Sequence, residues 1–392
     1  MNLELNLINQ NYSMKDHCTW SPYLNRKLKR EERKRQLKRE QKYMENMNEL
    51  IRFISIIFRN LWMSIAVIDH NREWRYKDIE EYSDKYSRCF LSKGHKIEIA
   101  LCANNSIEWI IAFIAILKSK NRMLLIHPNQ PLKNIVRILC ENSIDLIITD
   151  VPEILHHCIM ETRIENINEL IQNIDKRPDR EHTDQQWVKE EKGIVVLSFR
   201  CLRLIHVSFG TIISLLANLG KKGLFADKEK ETYYVAHVDF TYNYIIGLIL
   251  PLSHGVTIVI PRDSDITYPG VTLYHPNTII LTGRHFEVLY HTYIDISTDM
   301  LIKFLKDIGF WFILNIMFKY RLRNLFRNVG TVVILNSDLN LQIERTLKSV
   351  KFPYTITYGF VEAGGIVSYS PPKEFKKGTM GKIISNLMSV LG

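Results

Sequence analysis

The segment at residues 354–365, Y-T-I-T-Y-G-F-V-E-A-G-G, carries the residue types best suited to chemistry. Tyr358, Gly359 and Glu362 place an aromatic ring, a flexible backbone position and, three residues later, a carboxylate in one tight turn. A ring face suits a nucleotide base, and carboxylate and phosphate oxygens are the ligands that Mg²⁺ prefers. A glycine-stabilised turn with a solvated glutamate explains the same pattern equally well, so the spacing alone leaves both interpretations open.

A second candidate segment lies at residues 197–211, L-S-F-R-C-L-R-L-I-H-V-S-F-G-T, between a predicted strand and a predicted helix. A loop in this position can hold phosphates with backbone N–H groups and a cation. Ser198, Arg200 and Arg203 carry suitable groups, but residues 197–206 contain no glycine, which close backbone approach normally requires. A plain buried turn is the alternative interpretation.

The other chemistry-bearing residues give weaker signals. The stretch F-K-K-G-T-M-G-K at 375–382 predicts only a hairpin or loop. His156, His157 and His237 have no acid at a spacing that suggests a dyad, and we expect them at the surface or in packing roles. The sequence contains neither a Ser-His-Asp order nor an H-E-x-x-H pattern, so no catalytic residue is assigned.

Composition restricts the class of protein. With 392 residues, 46% hydrophobic and 24% charged, the chain is neither disordered nor fibrous. Its six cysteines include no C-x-x-C pair, which predicts reduced thiols and argues against a disulfide frame or a zinc site. No signal peptide is visible, and the longest apolar stretch, 245–260, is too short and too interrupted to span a membrane. We therefore expect a cytoplasmic protein, at most peripheral to a membrane.

The positive charge is concentrated near the N-terminus. The net charge is +10, and residues 26–42 alone hold ten Lys or Arg and three Glu. This segment is either a solvated helix or flexible arm, or an arm that contacts RNA or an anionic membrane. It has no interleaved aromatic residues for stacking on single strands, and no DNA site is evident. We predict a basic extension over 1–48, helical or disordered, and a folded domain over 49–392.

The apolar periodicity from residue 49 onward predicts alternating helices and strands. Ile79, Tyr82, Tyr86 and Phe90, for example, have helical spacing. Helices are predicted at 76–92, 106–118, 132–141 and 210–219, and buried strands at 97–102, 122–126, 145–149, 193–198, 232–238, 256–260 and 278–281. This alternation implies an α/β fold with parallel, doubly wound sheets, and the charged stretch 176–192 is a predicted surface connection.

Taken in order, these segments resemble the adenylate-forming superfamily of AMP-dependent synthetases and ligases, most closely the long-chain fatty-acid–CoA ligases. The resemblance rests on W-R-Y-K-D-I-E-E-Y-S, A-N-N-S-I-E-W-I-I-A-F-I-A-I-L-K, H-P-N-Q-P-L and a strand ending in I-I-T-D. It rests most specifically on Y-G-F-V-E, similar to the family's Y-G-x-T-E, followed by K-K-G-T-M-G-K. The resemblance implies the family's large N-terminal domain, with two doubly wound, mostly parallel sheets, flanking helices and a smaller β region.

The resemblance also implies a reaction and its site: ATP-dependent formation of an acyl-adenylate from a fatty acid, and then of a thioester with CoA. On the matching positions, Ser198 and Arg203 contact phosphate, Tyr358, Gly359 and Phe360 line the nucleotide pocket, and Glu362 binds Mg²⁺. ATP, Mg²⁺ and CoA are therefore the implied cofactors, and fatty acid and ATP the implied partners.

Several departures from the family pattern predict impaired catalysis. The phosphate loop lacks its glycines and most of its hydroxyls, Val361 replaces a threonine, and the family's mid-chain histidine falls on Phe240. The sequence given ends at Gly392, where the family continues into a hinge and a C-terminal lid, so a domain truncated before these parts is expected. The alternatives are a non-catalytic acyl- or nucleotide-binding scaffold and a marginally folded product.

Overall fold

The architecture comes from a computed structural model. The structure describes residues 47–90, 97–156, 162–174, 194–198, 203–221, 224–225, 232–235, 238–261, 273–294, 309–327, 329–336, 339–363, 365–376 and 378–384. The basic segment 26–42, the predicted connection 176–192, His157 and His237 lie outside these residues.

The strands form three sheets in the described part of the chain. They are β1 (Ile65–Asp69), β2 (Arg72–Arg75), β3 (Glu98–Cys102), β4 (Arg122–Leu125), β5 (Leu146–Thr149), β6 (Arg163–Asn166), β7 (Ile194–Leu197), β8 (Leu204–Val207), β9 (Thr232–Val235), β10 (Thr257–Ile260), β11 (Thr278–Thr282), β12 (Thr331–Leu335), β13 (Tyr354–Thr357), β14 (Ser368–Tyr369) and β15 (Lys382–Ile383).

The first sheet has seven strands in the order β13-β12-β11-β9-β10-β1-β2, and the second has six in the order β6-β5-β3-β4-β7-β8. All neighbours in both sheets are parallel except the pairs β1–β2 and β7–β8. A small antiparallel pair, β14–β15, completes the described β structure. The predicted α/β class, with two mostly parallel sheets and a smaller β region, is confirmed.

Helices flank the two sheets. Their bounds are α1 (Met47–Asn60), α2 (Tyr76–Cys89), α3 (Ile107–Lys118), α4 (Leu132–Glu141), α5 (Pro152–His156), α6 (Leu170–Asn173), α7 (Phe209–Lys221), α8 (Phe240–Tyr244), α9 (Leu250–Ser253), α10 (Gly283–Leu289), α11 (Trp311–Leu325) and α12 (Leu341–Ser349). Short 3-10 turns occupy Ile167–Glu169 and Val361–Ala363, and π-helical turns occupy Ile245–Ile249 and Tyr290–Ile294. Among the described helices, none has the length and apolar character needed to cross a membrane.

One predicted connection is wrong. The residues after β7 were expected to lead directly into a helix, but the chain instead forms the antiparallel hairpin β7–β8, and α7 begins only at Phe209. The hairpin ends are joined where the Ser198 N–H donates to the Arg203 carbonyl over 2.9 Å. The segment L-I-H-V of β8 is apolar at three of its four positions and shows no apolar–polar alternation, so the sequence gives no clear strand signal there.

The helix α3 lies in the main core. Its side chains from Trp109 to Leu117 are apolar and buried on all sides, as expected for a helix surrounded by protein. It begins where the Ser106 Oγ accepts the Trp109 N–H over 3.1 Å, an ordinary N-cap. The helix packs against α1, α2, β3 and β4, and the main core includes residues from both large sheets.

The end of α3 is fixed by a buried ion network. The Lys118 Nζ lies 2.8 Å from a Glu80 carboxylate oxygen and 2.7 Å from that of Asp84, both on α2, and it also donates to the Ser83 Oγ. The side chains of Lys118 and Glu80 are only 7% and 8% exposed. Removing one member of such a pair leaves a buried charge without compensation.

The substitution Lys118→Met should therefore lower the free energy of unfolding by about 3–5 kcal/mol, because Glu80 loses its cation. Urea unfolding measures the change. The matched control is Lys348→Met, an exposed lysine in the last turn of α12, which should change stability by less than about 0.5 kcal/mol. Equal effects of the two substitutions would contradict the role assigned to Lys118.

Candidate functional site

The carboxyl ends of strands from both sheets meet at one place. Asn105, after β3, donates from Nδ2 to the Val238 carbonyl over 2.6 Å and accepts the Phe240 N–H over 2.9 Å, both after β9. His127, after β4, places its Nε2 2.5 Å from a carboxylate oxygen of Asp239. In open α/β sheets, ligands bind outside the carboxyl ends of the strands, so this junction is the candidate site.

The hydrogen bonds of His127 define its role at the junction. Its Nδ1 accepts the Asn129 N–H over 3.0 Å, so in the neutral ring Nε2 carries the proton that faces Asp239. Asp239 also caps α8 by accepting the Thr241 N–H over 2.7 Å. Together these contacts make His127 and Asp239 a positioning pair that ties the two sheets.

The side chain of Tyr242 connects three parts of the site. Its ring stacks on that of His127 with centroids 5.5 Å apart, and the Gln130 Nε2 donates to its hydroxyl over 3.4 Å. The same Gln130 nitrogen donates to the Ser198 carbonyl at the base of the β7–β8 hairpin over 3.3 Å. Burial raises the pKa of the Tyr242 hydroxyl, which therefore stays protonated at neutral pH.

The glycine-containing turn packs against the same tyrosine. A Cβ on Gly365, whose φ is +99°, would lie 2.9 Å from the Tyr242 carbonyl oxygen. A Cβ on Gly359 would lie 1.9 Å from the Gly365 carbonyl oxygen, so the turn closes on itself at a distance that only glycine allows. The Gly359 N–H donates to the Asn336 Oδ1 over 2.6 Å, which holds the turn at the end of β12.

The structure brings the predicted site segments together. Strand β8 lies against the 3-10 turn Val361–Ala363, so the hairpin that carries Ser198 and Arg203 adjoins the turn that carries Glu362. Ser198 is buried and Arg203 is exposed. Residues 199–202, which include Arg200, and the side chain of Glu362 lie outside the described part of the structure.

The aromatic residues of the turn differ in exposure. The Tyr358 side chain is 45% exposed, whereas Phe360 is partly buried, and their ring centroids are 6.1 Å apart in an edge-on arrangement. An accessible tyrosine ring is a surface on which a nucleotide base can stack.

Two positions where the family pattern has polar side chains belong to the core in this chain. Phe240 is fully buried, with its ring 5.5 Å from that of Trp109. Val361 is partly buried and packs against the main core. Neither position supplies a hydrogen-bonding side chain to the site.

The remaining candidates have structural roles or no reactive character. The 375–382 segment forms the end of the loop between β14 and β15, as predicted, and the Gly378 N–H donates to Glu344 over 3.1 Å. Burial raises the pKa of the Cys102 thiol to about 12, which excludes it as a nucleophile at neutral pH. Among the described residues, no group of three or more His, Cys, Asp or Glu is arranged to hold a metal ion.

Sequence reasoning missed His127, Gln130, Asp239 and Tyr242. The H-P-N-Q-P-L motif contains two of them and contributed to the resemblance, but its partners lie on a distant segment. A search for a polar motif after each predicted parallel strand would have pointed to His127 and Gln130, because such strands end at the same edge.

Part of the sequence is similar to known proteins. Residues 62–197 match the family model for the AMP-binding enzyme. A nonribosomal peptide synthetase from Aspergillus flavus is 27% identical over 127 residues, which cover 29% of this chain and 2% of that protein.

Solved structures extend the likeness over most of the chain. The O-succinylbenzoate coenzyme A synthetase of Bacillus subtilis matches with a TM-score of 0.65 and 12% identity, covering 85% of this chain and 64% of that one. VinN in complex with 3-methylaspartate matches with a TM-score of 0.64 and 10% identity over 88% of this chain and 86% of that one. The N-terminal subdomain of Klebsiella oxytoca NpsA matches with a TM-score of 0.60 and 14% identity, covering 86% of this chain and 80% of that one.

The described fold matches that of the N-terminal domain of adenylate-forming enzymes, and residues 62–197 match the AMP-binding enzyme model. The predicted resemblance is thereby confirmed for the superfamily. These comparisons do not distinguish long-chain fatty-acid–CoA ligases from other members of the superfamily, so the closer likeness to those ligases stays a prediction.

The turn geometry predicts the effect of a minimal substitution. Gly359→Ala should lower the free energy of unfolding by at least about 2 kcal/mol, because its Cβ would overlap the Gly365 carbonyl. Gly210→Ala, in the first turn of α7, is the control, since its Cβ would meet only the Ser208 Oγ at 3.8 Å. The control should be neutral or stabilising by up to about 1 kcal/mol. Thermal unfolding compares the two, and a Gly359→Ala variant as stable as the parent would refute the close approach.

The interaction between His127 and Asp239, which join the two sheets, should contribute strongly to stability. In a double-mutant cycle, His127→Ala and Asp239→Ala should show an interaction energy of about 1–3 kcal/mol. The exposed pair Arg137–Glu141, 3.0 Å apart on α4, should give only about 0.3–0.5 kcal/mol. A coupling at the junction no larger than that of the control pair would show that His127 and Asp239 do not hold the sheets together.

Proposed function

We propose that this protein binds ATP at the junction of its two sheets and activates a carboxylate substrate as an adenylate. The observation that supports this proposal is the meeting of the β7–β8 hairpin and the 358–365 turn at the carboxyl ends of the strands, through Gln130 and Tyr242. The match of residues 62–197 to the AMP-binding enzyme model supports the same nucleotide.

Each predicted site residue has a role in this reaction. The exposed ring of Tyr358 offers a surface for the adenine, and Gly359 and Phe360 complete that part of the turn. Arg203 supplies positive charge to the phosphates, and Ser198 holds the base of the hairpin. Glu362, together with phosphate oxygens, provides the kind of oxygen ligands that a magnesium ion accepts. When bound, the ion supplies neutralisation of phosphate charge.

The substrate class follows from the resemblance in the sequence. We propose a long-chain fatty acid, whose carboxylate oxygen bonds to the α-phosphorus of ATP while the bond to the pyrophosphate oxygen breaks. The acyl group then passes to the CoA thiol, with AMP as the leaving group. O-succinylbenzoate, for which the Bacillus subtilis synthetase is named, and the amino acid 3-methylaspartate, bound to VinN, are carboxylates to test as competing substrates.

A non-catalytic nucleotide- or acyl-binding protein is the second candidate. It is favoured by the absence of glycine from residues 197–206 and by the apolar packing of Val361 and Phe240, where the family pattern has hydroxyl and imidazole groups. Preorganised donors of this kind are each worth about 3–4 kcal/mol to a charged transition state. Binding needs fewer such donors than turnover.

Pyrophosphate release separates the two candidates. Purified protein is mixed with ATP, Mg²⁺ and one of several fatty acids or amino acids, and CoA thioester is measured in parallel. Arg203→Ala and Glu362→Ala should each lower the rate about 10²–10³-fold. The control Arg137→Ala, on the exposed face of α4, should leave the rate unchanged.

Calorimetric titration with ATP tests the second candidate, a non-catalytic binding protein. Binding that requires Glu362 and Mg²⁺, without pyrophosphate release from folded protein, would establish the binding protein and reject the enzyme. Rates and affinities that are the same in both site variants as in the parent would refute the site itself.

A further inference from the structure

The helix α11 has two faces with opposite surroundings. Leu314, Leu322 and Leu325 are buried on one side. At 100° per residue, the opposite side presents Phe312, Ile316, Tyr320 and Ile313, which are 75%, 51%, 65% and 38% exposed. A surface helix normally carries polar residues on its outward face, so these large apolar side chains need another explanation.

The charged residues of the segment that contains α11 have one sign. Lys319 and Arg323 lie on the same outward side of α11, and Arg327 follows the helix directly; all three are exposed. Residues 309–330 contain four Lys or Arg and no Asp or Glu. The face therefore combines an apolar, aromatic strip with positive charge.

We infer that this outward face of α11 docks on an anionic lipid surface. Helices that lie in the membrane interface insert an apolar face of this kind and hold their Lys and Arg at the headgroups. Aromatic residues such as Tyr320 favour the same depth, and each basic residue adds attraction to anionic lipids. This inference uses none of residues 26–42 and does not depend on the proposed enzyme activity.

Two features of the face favour lipid over protein as the partner. Lysine is depleted at protein–protein interfaces, whereas the exposed Lys319 adjoins the apolar strip here. A second copy of the chain docked through the same face would bring these positive charges together without an acid in residues 309–330 to compensate.

Vesicle sedimentation of the full chain tests the inference. Vesicles of phosphatidylcholine alone are compared with vesicles that also contain phosphatidylserine. The parent should bind the anionic vesicles more tightly, and the preference should weaken as salt is raised. Phe312→Ser/Ile316→Ser/Tyr320→Ser should weaken binding at least about tenfold on the basis of lost apolar area. Lys319→Ser/Arg323→Ser should weaken it about fivefold per residue on anionic vesicles.

The controls are Leu341→Ser and Ile383→Ser, which are 61% and 70% exposed elsewhere and should bind as the parent does. Circular dichroism confirms that each variant is folded. Unchanged binding by both α11 variants would overturn the inference, as would binding that disappears only when the basic residues of 26–42 are neutralised. Self-association that the triple variant abolishes, without vesicle binding by the parent, would overturn it in favour of a contact between copies.

Discussion

A buried carboxylate of one large sheet holds the start of the helix that follows a strand of the other. Asp69 ends β1 in the seven-stranded sheet, is 4% exposed, and accepts the Ile107 N–H at the start of α3 over 2.8 Å. That helix follows β3 of the six-stranded sheet, and its side chains from Trp109 to Leu117 are apolar on all sides. A negative group at a helix N-terminus satisfies an otherwise unpaired donor and complements the helix dipole. Because the side chains from Trp109 to Leu117 are apolar, polar contacts set the position of α3 at its ends, with Asp69 at the start and Lys118 at the end.

The geometry of the candidate site depends on the position of α3. Once α3 is fixed between the sheets, the ends of β3 and β4 stand beside the end of β9, where the pairs Asn105–Val238 and His127–Asp239 form. The glycine turn then needs no long side chain to hold it, since Gly365 touches the main chain of Tyr242. Backbone contact at this distance leaves neither the turn nor Tyr242 room to move toward the other, so the turn holds a fixed position beside the β7–β8 hairpin.

Much of the fold is predictable because its signals are local. The spacing of Ile79, Tyr86 and Phe90 gives α2, and Ser106 before an apolar run gives the start of α3. The hairpin β7–β8 was misread because β8 has no clear alternation, and His127 with Asp239 was missed because their partnership exists only in the tertiary structure. In the site, residue spacing predicts the turn at 358–365, whereas its contact with Tyr242 depends on how two distant segments pack.

Two groups of residues at the candidate site differ in what they contribute: one group holds the backbone in place, and the other stands where the family pattern has polar side chains. The backbone-determining residues Gly359, Gly365 and Asp239 keep the contacts that the turn and the α8 cap require. At Val361 and Phe240, by contrast, the side chains have joined the core, where apolar packing adds stability and a buried hydroxyl or imidazole would need a partner. Under the proposed function, a site with these substitutions keeps the shape of its nucleotide cleft and has fewer polar donors. Ligand binding, which in that proposal draws on shape and on the charge of Arg203, is then the property most protected by the fold, and turnover is the property most affected by the substitutions.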